Sequence, residues 1–115
     1  MIGLPRGVEI WVAAEPADMR MGHDGLLALV QQQVQLKPFS GHLFVFFGKS
    51  MDRAKILFFE RGGFVLYYKR LEKGRFRRPP LDMTVDATVL TMVLDGIDVR
   101  RVARPPVWEP PRPEV

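Results

Sequence analysis

Two carboxylates and a histidine that lie close together in the sequence are the first residues that could do chemistry. Asp18 and Asp24 flank Arg20 and His23, and paired carboxylates can hold the divalent cations that metal-dependent nucleases use. On a single helix, however, a separation of six residues would place the two aspartates about 240° apart around the axis. An acidic N-cap for the following helix, with the other aspartate as a surface charge, is the simpler interpretation. We therefore predict neither a catalytic residue nor a metal site here.

The other residues with reactive or metal-ligating side chains are too few or too far apart to predict a site. His23 and His42 are the only histidines, and the chain has no cysteine, whereas zinc sites generally combine three or four such ligands. Ser40 lies two residues before His42, but this spacing does not by itself make a nucleophile and base. Gly22 and Gly25 lack the lysine and further glycines of a phosphate-binding loop. We expect a protein that is not an enzyme and that needs no cofactor.

Positive charge is concentrated in one part of the chain. Between Lys49 and Arg78 there are ten cations and three anions, a balance of +7, whereas the whole chain carries +4. Clustered cations with interleaved aromatic residues are typical of surfaces that bind a phosphate backbone. The alternative is a solvated face, or cations that protect a sheet edge from aggregation. The side chains predicted to bind DNA phosphates, without reading bases, are Arg53, Lys55, Lys69, Arg70, Lys73 and Arg75.

A β-hairpin is predicted to position these cations. Apolar runs at residues 56–59 and 64–68 flank a turn, Glu60-Arg61-Gly62-Gly63, in which glycine permits positive φ. Upstream, residues 8–13 alternate as a half-buried strand does, and residues 42–47 form a second apolar strand. A helix with Asp18 or Asp24 at its N-cap reaches about residue 35 and is closed by Lys37-Pro38. A last helix is predicted over residues 85–95, with Thr84 as N-cap and Gly96 as its stop.

These elements predict an α+β fold with a mainly antiparallel sheet of about four strands, packed by one or two helices. Residues 43–47 and 56–59 are apolar on both faces, so both faces of the sheet must be covered. One helix covers only one face, so we expect the chain itself to cover the second, by its last helix or by the other strands curling over, with a dimer or a partner protein as the alternative. The length of 115 residues is sufficient for one core. We predict one domain over residues 1–103 and a proline-rich, disordered tail over residues 104–115.

Three ordered blocks of sequence, residues 18–26, 39–46 and 52–76, resemble a known family. It comprises the small accessory proteins, often labelled TnpB, that are encoded beside the transposase in one class of bacterial insertion sequences. They are unrelated to the RNA-guided nuclease that shares this label. The similarity runs from about residue 8 to residue 76, and more weakly to residue 98. Asp18, Arg20 and Asp24 match family positions whose role the residues do not reveal.

The resemblance implies a non-catalytic helper in DNA transposition that works with a separately encoded transposase. DNA is the first expected partner, through the basic hairpin. The alternative is an adaptor whose basic face meets an acidic surface of the transposase, without direct DNA contact. A homodimer is a further candidate.

Hydropathy favours a cytoplasmic location. No apolar run approaches the ~18 residues that a membrane helix needs. The first residues, Met1-Ile2-Gly3-Leu4-Pro5, lack the cationic segment and apolar core of a secretion signal. We expect no membrane partner.

Overall fold

The computed structural model describes residues 8–34 and 41–102, together with residues 108, 110 and 111. Lys37, Pro38 and most of the predicted tail lie outside the described residues. In chain order the strands and helices are β1 (Ile10–Val12), α1 (His23–Gln33), β2 (Leu43–Phe47), β3 (Arg53–Glu60), β4 (Gly63–Arg70) and α2 (Ala87–Leu94), followed by a short 3-10 helix (Val99–Arg101).

The four strands form one sheet in the order β1-β2-β3-β4. β1 runs parallel to β2, and α1 lies in the connection between them, as parallel neighbours require a long crossover. β2, β3 and β4 pair antiparallel in succession. The predicted α+β fold with a mainly antiparallel sheet is confirmed.

Each face of the sheet carries its own hydrophobic core. On one face Val45 and Ile56 pack with Val93 of α2, and on the other Phe44 packs with Leu26 and Val30 of α1. Strand β2 is buried along its whole length because alternate side chains enter the two cores. This confirms the expectation that the chain covers both faces itself, and the two helices are the elements that do so.

The hairpin turn forms where the glycines predict it. Glu60 pairs with Gly63 across a two-residue loop. Its central residues Arg61 and Gly62 have φ of 45° and 86°, and positive φ at both central positions is what a type I′ turn requires. The strands are longer than their apolar runs, because pairing continues through the cations to Arg53 opposite Arg70.

The predicted N-caps are wrong for both helices. α1 begins after Gly22, which offers no capping side chain. Asp24 lies in the first turn of α1, where its charge still favours the helix dipole. Asp18 precedes α1 and accepts hydrogen bonds from Arg20 instead.

In α2 the N-cap is Asp86 and not Thr84, since a carboxylate oxygen of Asp86 accepts a hydrogen bond from the N–H of Val89 at 2.8 Å. The predicted stop at Gly96 is confirmed. Gly96 has φ of 81°, its N–H donates to Val93, and the N–H of Ile97 donates to Met92, each at 3.0 Å. These two bonds are those of a Schellman motif.

Among the described residues, no helix combines the length and the apolar character needed to cross a lipid bilayer.

Candidate nucleic-acid interface

The pairing of β3 with β4 divides the predicted DNA-binding side chains between the two faces of the sheet. Arg53 lies directly opposite Arg70, whereas Lys69 lies opposite Ala54. Because neighbouring residues of a strand point to opposite faces, Arg53 and Arg70 share the α1 face and Lys69 points to the α2 face. The predicted DNA-binding cations of the hairpin strands therefore do not lie on one face.

Lys55 is buried, although it was expected to contact phosphate. Its side chain is only 6% exposed. Its Nζ atom donates hydrogen bonds to the carbonyls of Met19 at 2.8 Å and Met21 at 2.7 Å, and lies 4.7 Å from the ring centroid of Tyr68. The two carbonyls and the ring compensate for the cost of burying an ammonium group. In this structure Lys55 is therefore an anchor for residues 19–21 and is not available to a phosphate.

Lys69 also has a partner within the fold. Its Nζ atom donates a 2.7 Å hydrogen bond to the carbonyl of Leu94, the last residue of α2, and lies 3.8 Å from the carboxylate of Asp95. A cation at this end of a helix is favourable because the helix dipole leaves partial negative charge there. Lys69 thus ties β4 to α2, with its side chain 33% exposed.

The chain after β4 is held against the loop before β3. The N–H of Leu71 donates to the carbonyl of Asp52 at 2.7 Å, and the N–H of Phe76 donates to the carbonyl of Met51 at 2.6 Å. The Phe76 ring is 1% exposed and lies 5.7 Å from the ring of Phe47. These contacts place the exposed side chains of residues 72–77 beside the ends of the hairpin strands.

The result is a surface at the open end of the hairpin, which we call the basic end. It consists of six exposed cations from residues 49–53 and 70–77: Lys49, Arg53, Arg70, Lys73, Arg75 and Arg77. The only acidic residues in these two segments are Asp52 and Glu72, so the local balance is +4. Lys49 and Arg77 were not among the residues predicted from the sequence to bind DNA. Both residues lie within the cationic stretch of the sequence, but only the packing of the two segments makes them part of the basic end.

The two carboxylates of the basic end are already engaged. Glu72 accepts a hydrogen bond from Arg70, with 2.9 Å between the ion-paired atoms. The hydroxyl of Ser50 donates to Asp52 and lowers the pKa of that carboxyl below its ordinary value. Arg53, Lys73 and Arg75 have no ion pair among the described residues. They are free to bind an external anion.

Arg78, just beyond the basic end, points inward. Its guanidinium carbon lies 5.6 Å from the ring centroid of Phe47. The Nε and Nη2 atoms are buried and have no hydrogen-bond partner. Arg78 is therefore not counted among the exposed cations.

A shallow depression of about 400 Å³ adjoins the basic end. Its lining includes Asp18, Met19, Lys49 and Arg53. Gly48 is part of the floor, where a Cβ atom would come within 2.7 Å of the Met19 side chain. The depression brings Asp18 and Met19 of the first sequence block beside Arg53 of the third block.

The acidic pair considered for metal binding is not assembled into a site. Asp18 accepts hydrogen bonds from the backbone N–H and the guanidinium of Arg20, the shortest at 2.7 Å. Asp24 lies in α1 and is exposed. The Nδ1 atom of His42 accepts from the N–H of Glu9 at 2.8 Å. Within the described part of the chain, no three acidic or histidine side chains converge where a metal ion could bind.

Asp18 should titrate well below the ordinary range of an aspartate. Hydrogen bonds from the Arg20 side chain, and then from its backbone N–H, lower the pKa of Asp18 to about 2. A lowered pKa stabilises the folded state above the usual value of 3.8, and this contribution is lost as the pH falls towards 2. Its size should be small because both side chains are exposed to solvent.

The measurement is the chemical shift of the Asp18 carboxyl carbon as a function of pH. In Arg20→Gln the pKa of Asp18 should rise towards its ordinary value, since the hydrogen bonds and the charge of the Arg20 guanidinium are lost. Titration of Asp18 near 3.8 in the parent protein would contradict the ion pair.

Comparison with known proteins agrees with the blocks seen in the sequence. The family model described as IS66 Orf2 like protein matches residues 8–104. The chain belongs to the IS66 Orf2-like family. This confirms the predicted resemblance to an accessory protein of a bacterial insertion sequence, here of the IS66 type.

Two relatives of this IS66 Orf2-like protein come from Sinorhizobium fredii. Uncharacterized protein y4jC is 37% identical over 113 residues, which covers 96% of this chain and 97% of the relative. Uncharacterized protein y4hO is 36% identical over 112 residues, which covers 93% of this chain and 96% of the relative. No solved structure matches the chain.

Proposed function

We propose that this IS66 Orf2-like protein is a non-catalytic accessory protein of DNA transposition that holds the DNA backbone at its basic end and so assists a separately encoded transposase. The observation that carries the proposal is that the two segments flanking the hairpin are held together at its open end. Hydrogen bonds join residues 51–52 to residues 71 and 76, and the two joined segments carry six exposed cations. Family membership supports a role in transposition, and the charge supports DNA as the direct partner.

The arrangement of the two central arginines favours an anion as ligand. Arg53 and Arg70 lie directly opposite each other on the same sheet face, and like charges in this position destabilise a sheet. Among the described residues, Arg70 has an ion pair with Glu72, whereas Arg53 has none. A phosphodiester placed between the two guanidinium groups would relieve their repulsion and accept hydrogen bonds from both.

Backbone contacts of this kind position a protein on DNA without selecting a sequence. Lysine and arginine bound to phosphate carry no base information, and the basic end is a surface of exposed side chains beside a shallow depression, with no groove-reading helix in it. We therefore propose binding to duplex DNA with little sequence preference, with sequence selection left to the transposase.

Salt dependence of DNA binding tests the proposal. If four to six phosphates are neutralised, the logarithm of affinity should fall against the logarithm of salt concentration with a slope of about −4 to −5. Replacing Arg53 and Arg70 by glutamine should flatten that slope by about two units and weaken binding to all DNA sequences alike. The measurement is a fluorescence-anisotropy titration at several salt concentrations on unrelated duplexes.

Arg61→Gln provides the matched control. Arg61 is an exposed arginine in the turn at the opposite end of the hairpin, and the strand between them rises about 23 Å from Arg53 to Glu60. This exceeds the Debye length of about 10 Å at 0.1 M salt, so the slope should stay unchanged. A flat salt response of the parent protein would refute backbone binding. Salt-sensitive capture of the transposase, without DNA binding and abolished by the double substitution, would establish the adaptor function instead.

A further inference from the structure

The outer edge of β4 is an unprotected strand edge. β4 is the terminal strand of the sheet and has eight residues, and within the described ranges no strand pairs with its outer side. Three of its apolar side chains are exposed: Val65 at 39%, Tyr67 at 37% and Tyr68 at 49%. The other edge strand, β1, has only three residues. Long edges with exposed apolar side chains favour pairing with another strand, whereas short ones do not.

We infer that β4 pairs antiparallel with β4 of a second copy of this chain, around a two-fold axis at Leu66, to give a continuous eight-stranded sheet. In such a pair, opposite residues lie on the same face of the sheet, so the two residue numbers must have an even sum. With Leu66 on the axis, Val65 lies opposite Tyr67 of the second copy and Phe64 lies opposite its Tyr68. Every exposed apolar residue of β4 then meets an apolar neighbour.

The charges of β4 select this register. With Leu66 on the axis, Lys69 and Arg70 lie opposite Gly63 and Gly62 of the second copy, which have no side chains to meet them. An axis at Tyr67 would place Lys69 opposite Val65 and Arg70 opposite Phe64, with charges set against apolar groups. Parallel pairing in register would place Lys69 and Arg70 opposite the same two residues of the second copy, and like charges in that position repel.

Glu60 adds a complementary charge to the same register. It pairs with Gly63 on the face that also carries Lys69, and it is exposed. In the dimer, Lys69 of one copy would lie on the same face as Glu60 of the other, with Gly63 between them, while its Nζ atom keeps the hydrogen bond to the carbonyl of Leu94. Opposite charges would therefore lie on one face near both ends of the interface without a direct ion pair, and this complementarity favours a second copy over an unrelated strand as the occupant of the edge.

Cysteine pairing can test both the dimer and its register, because the chain has no cysteine of its own. Val65 and Tyr67 of the second copy would have Cα atoms about 5 Å apart, within the range that a disulfide spans. Two Val65 residues, or two Tyr67 residues, would be about 8 Å apart, which is too far. Both positions are exposed, so Val65→Cys and Tyr67→Cys should leave the fold intact, which thermal melts can verify.

The expected results are a dimer of the parent protein by sedimentation equilibrium and a specific cross-link. Under mild oxidation, a mixture of Val65→Cys and Tyr67→Cys should form a disulfide-linked dimer at least about tenfold faster than either variant alone. A parent protein that stays monomeric throughout the micromolar range would overturn the inference. So would a dimer in which the mixture cross-links no faster than the single variants, because its interface would then lie elsewhere.

Discussion

Replacing Lys55 by methionine should lower the free energy of unfolding by about 2–3 kcal/mol, since a charged hydrogen-bond donor to two carbonyls is lost. Methionine is an unbranched apolar side chain of nearly the same length without the ammonium group, so the packing of the α1 core is largely preserved. The carbonyls of Met19 and Met21 would lose the partner that they have at 2.8 and 2.7 Å. For a domain of this size we expect the melting temperature to fall by about 8–15 °C.

The same substitution should leave the salt slope of DNA binding unchanged, because Lys55 is 6% exposed and lies outside the basic end. Lys73→Met is the matched control, since it removes the same group from an exposed loop position. It should alter stability by less than about 0.5 kcal/mol but flatten the slope by about one unit. A Lys55→Met variant with normal stability and a flatter slope would instead place this ammonium group in the interface.

The burial of Lys55 could not be predicted from the sequence. Strand alternation places it on the same face as Arg53, and by pattern alone the two cations are equivalent. What separates them is the chain before α1, which passes over Lys55 and presents two carbonyls from residues 34 and 36 positions away. No local pattern predicts that approach, because it depends on how residues 17–22 cross the sheet.

The hairpin and the cores were predictable for the opposite reason. Gly62 at a position of positive φ and the apolar runs on either side of the turn are local signals. Strand β2 has no polar residue on either face, which requires cover on both sides whatever the topology. Patterns of this kind constrain the fold without knowledge of distant contacts.

The helix starts were mispredicted because several capping residues compete. Thr84 and Asp86 both precede α2, and either side chain could accept a hydrogen bond from the first turn. Tertiary packing decides between them: Val89 and Leu90 are buried, which fixes the phase of the helix and leaves Asp86 three residues before Val89. At α1 the preceding chain is held by Lys55, and Asp18 is turned to Arg20, so a glycine occupies the cap.

The basic end depends on one buried ring, so Phe76→Ala should have the largest effect of any single substitution there. Phe76 is 1% exposed and packs 5.7 Å from Phe47, and loss of a buried phenylalanine typically costs about 3–5 kcal/mol. The melting temperature should fall by about 12–20 °C. At a temperature where the variant is still folded, DNA binding should also weaken with a flatter salt slope, since Arg75 and Arg77 flank the lost anchor.

Phe76→Leu tests whether the segment is held by an apolar side chain of sufficient size or by an aromatic ring specifically. Leucine can fill much of the same space, so we expect a loss of less than about 1.5 kcal/mol and nearly unchanged DNA binding. The two variants keep all six cations, so any difference in salt slope between them reports how the cations are held and not how many there are.

If the free energy of unfolding of Phe76→Ala were within about 1 kcal/mol of the parent value, the segment after β4 would not be anchored by this ring. If it were destabilised as expected but bound DNA with the parent's slope, Lys73, Arg75 and Arg77 would not need a fixed arrangement to bind phosphate. In that case Arg53 and Arg70, whose positions are set by the paired strands themselves, would form the ordered part of the interface.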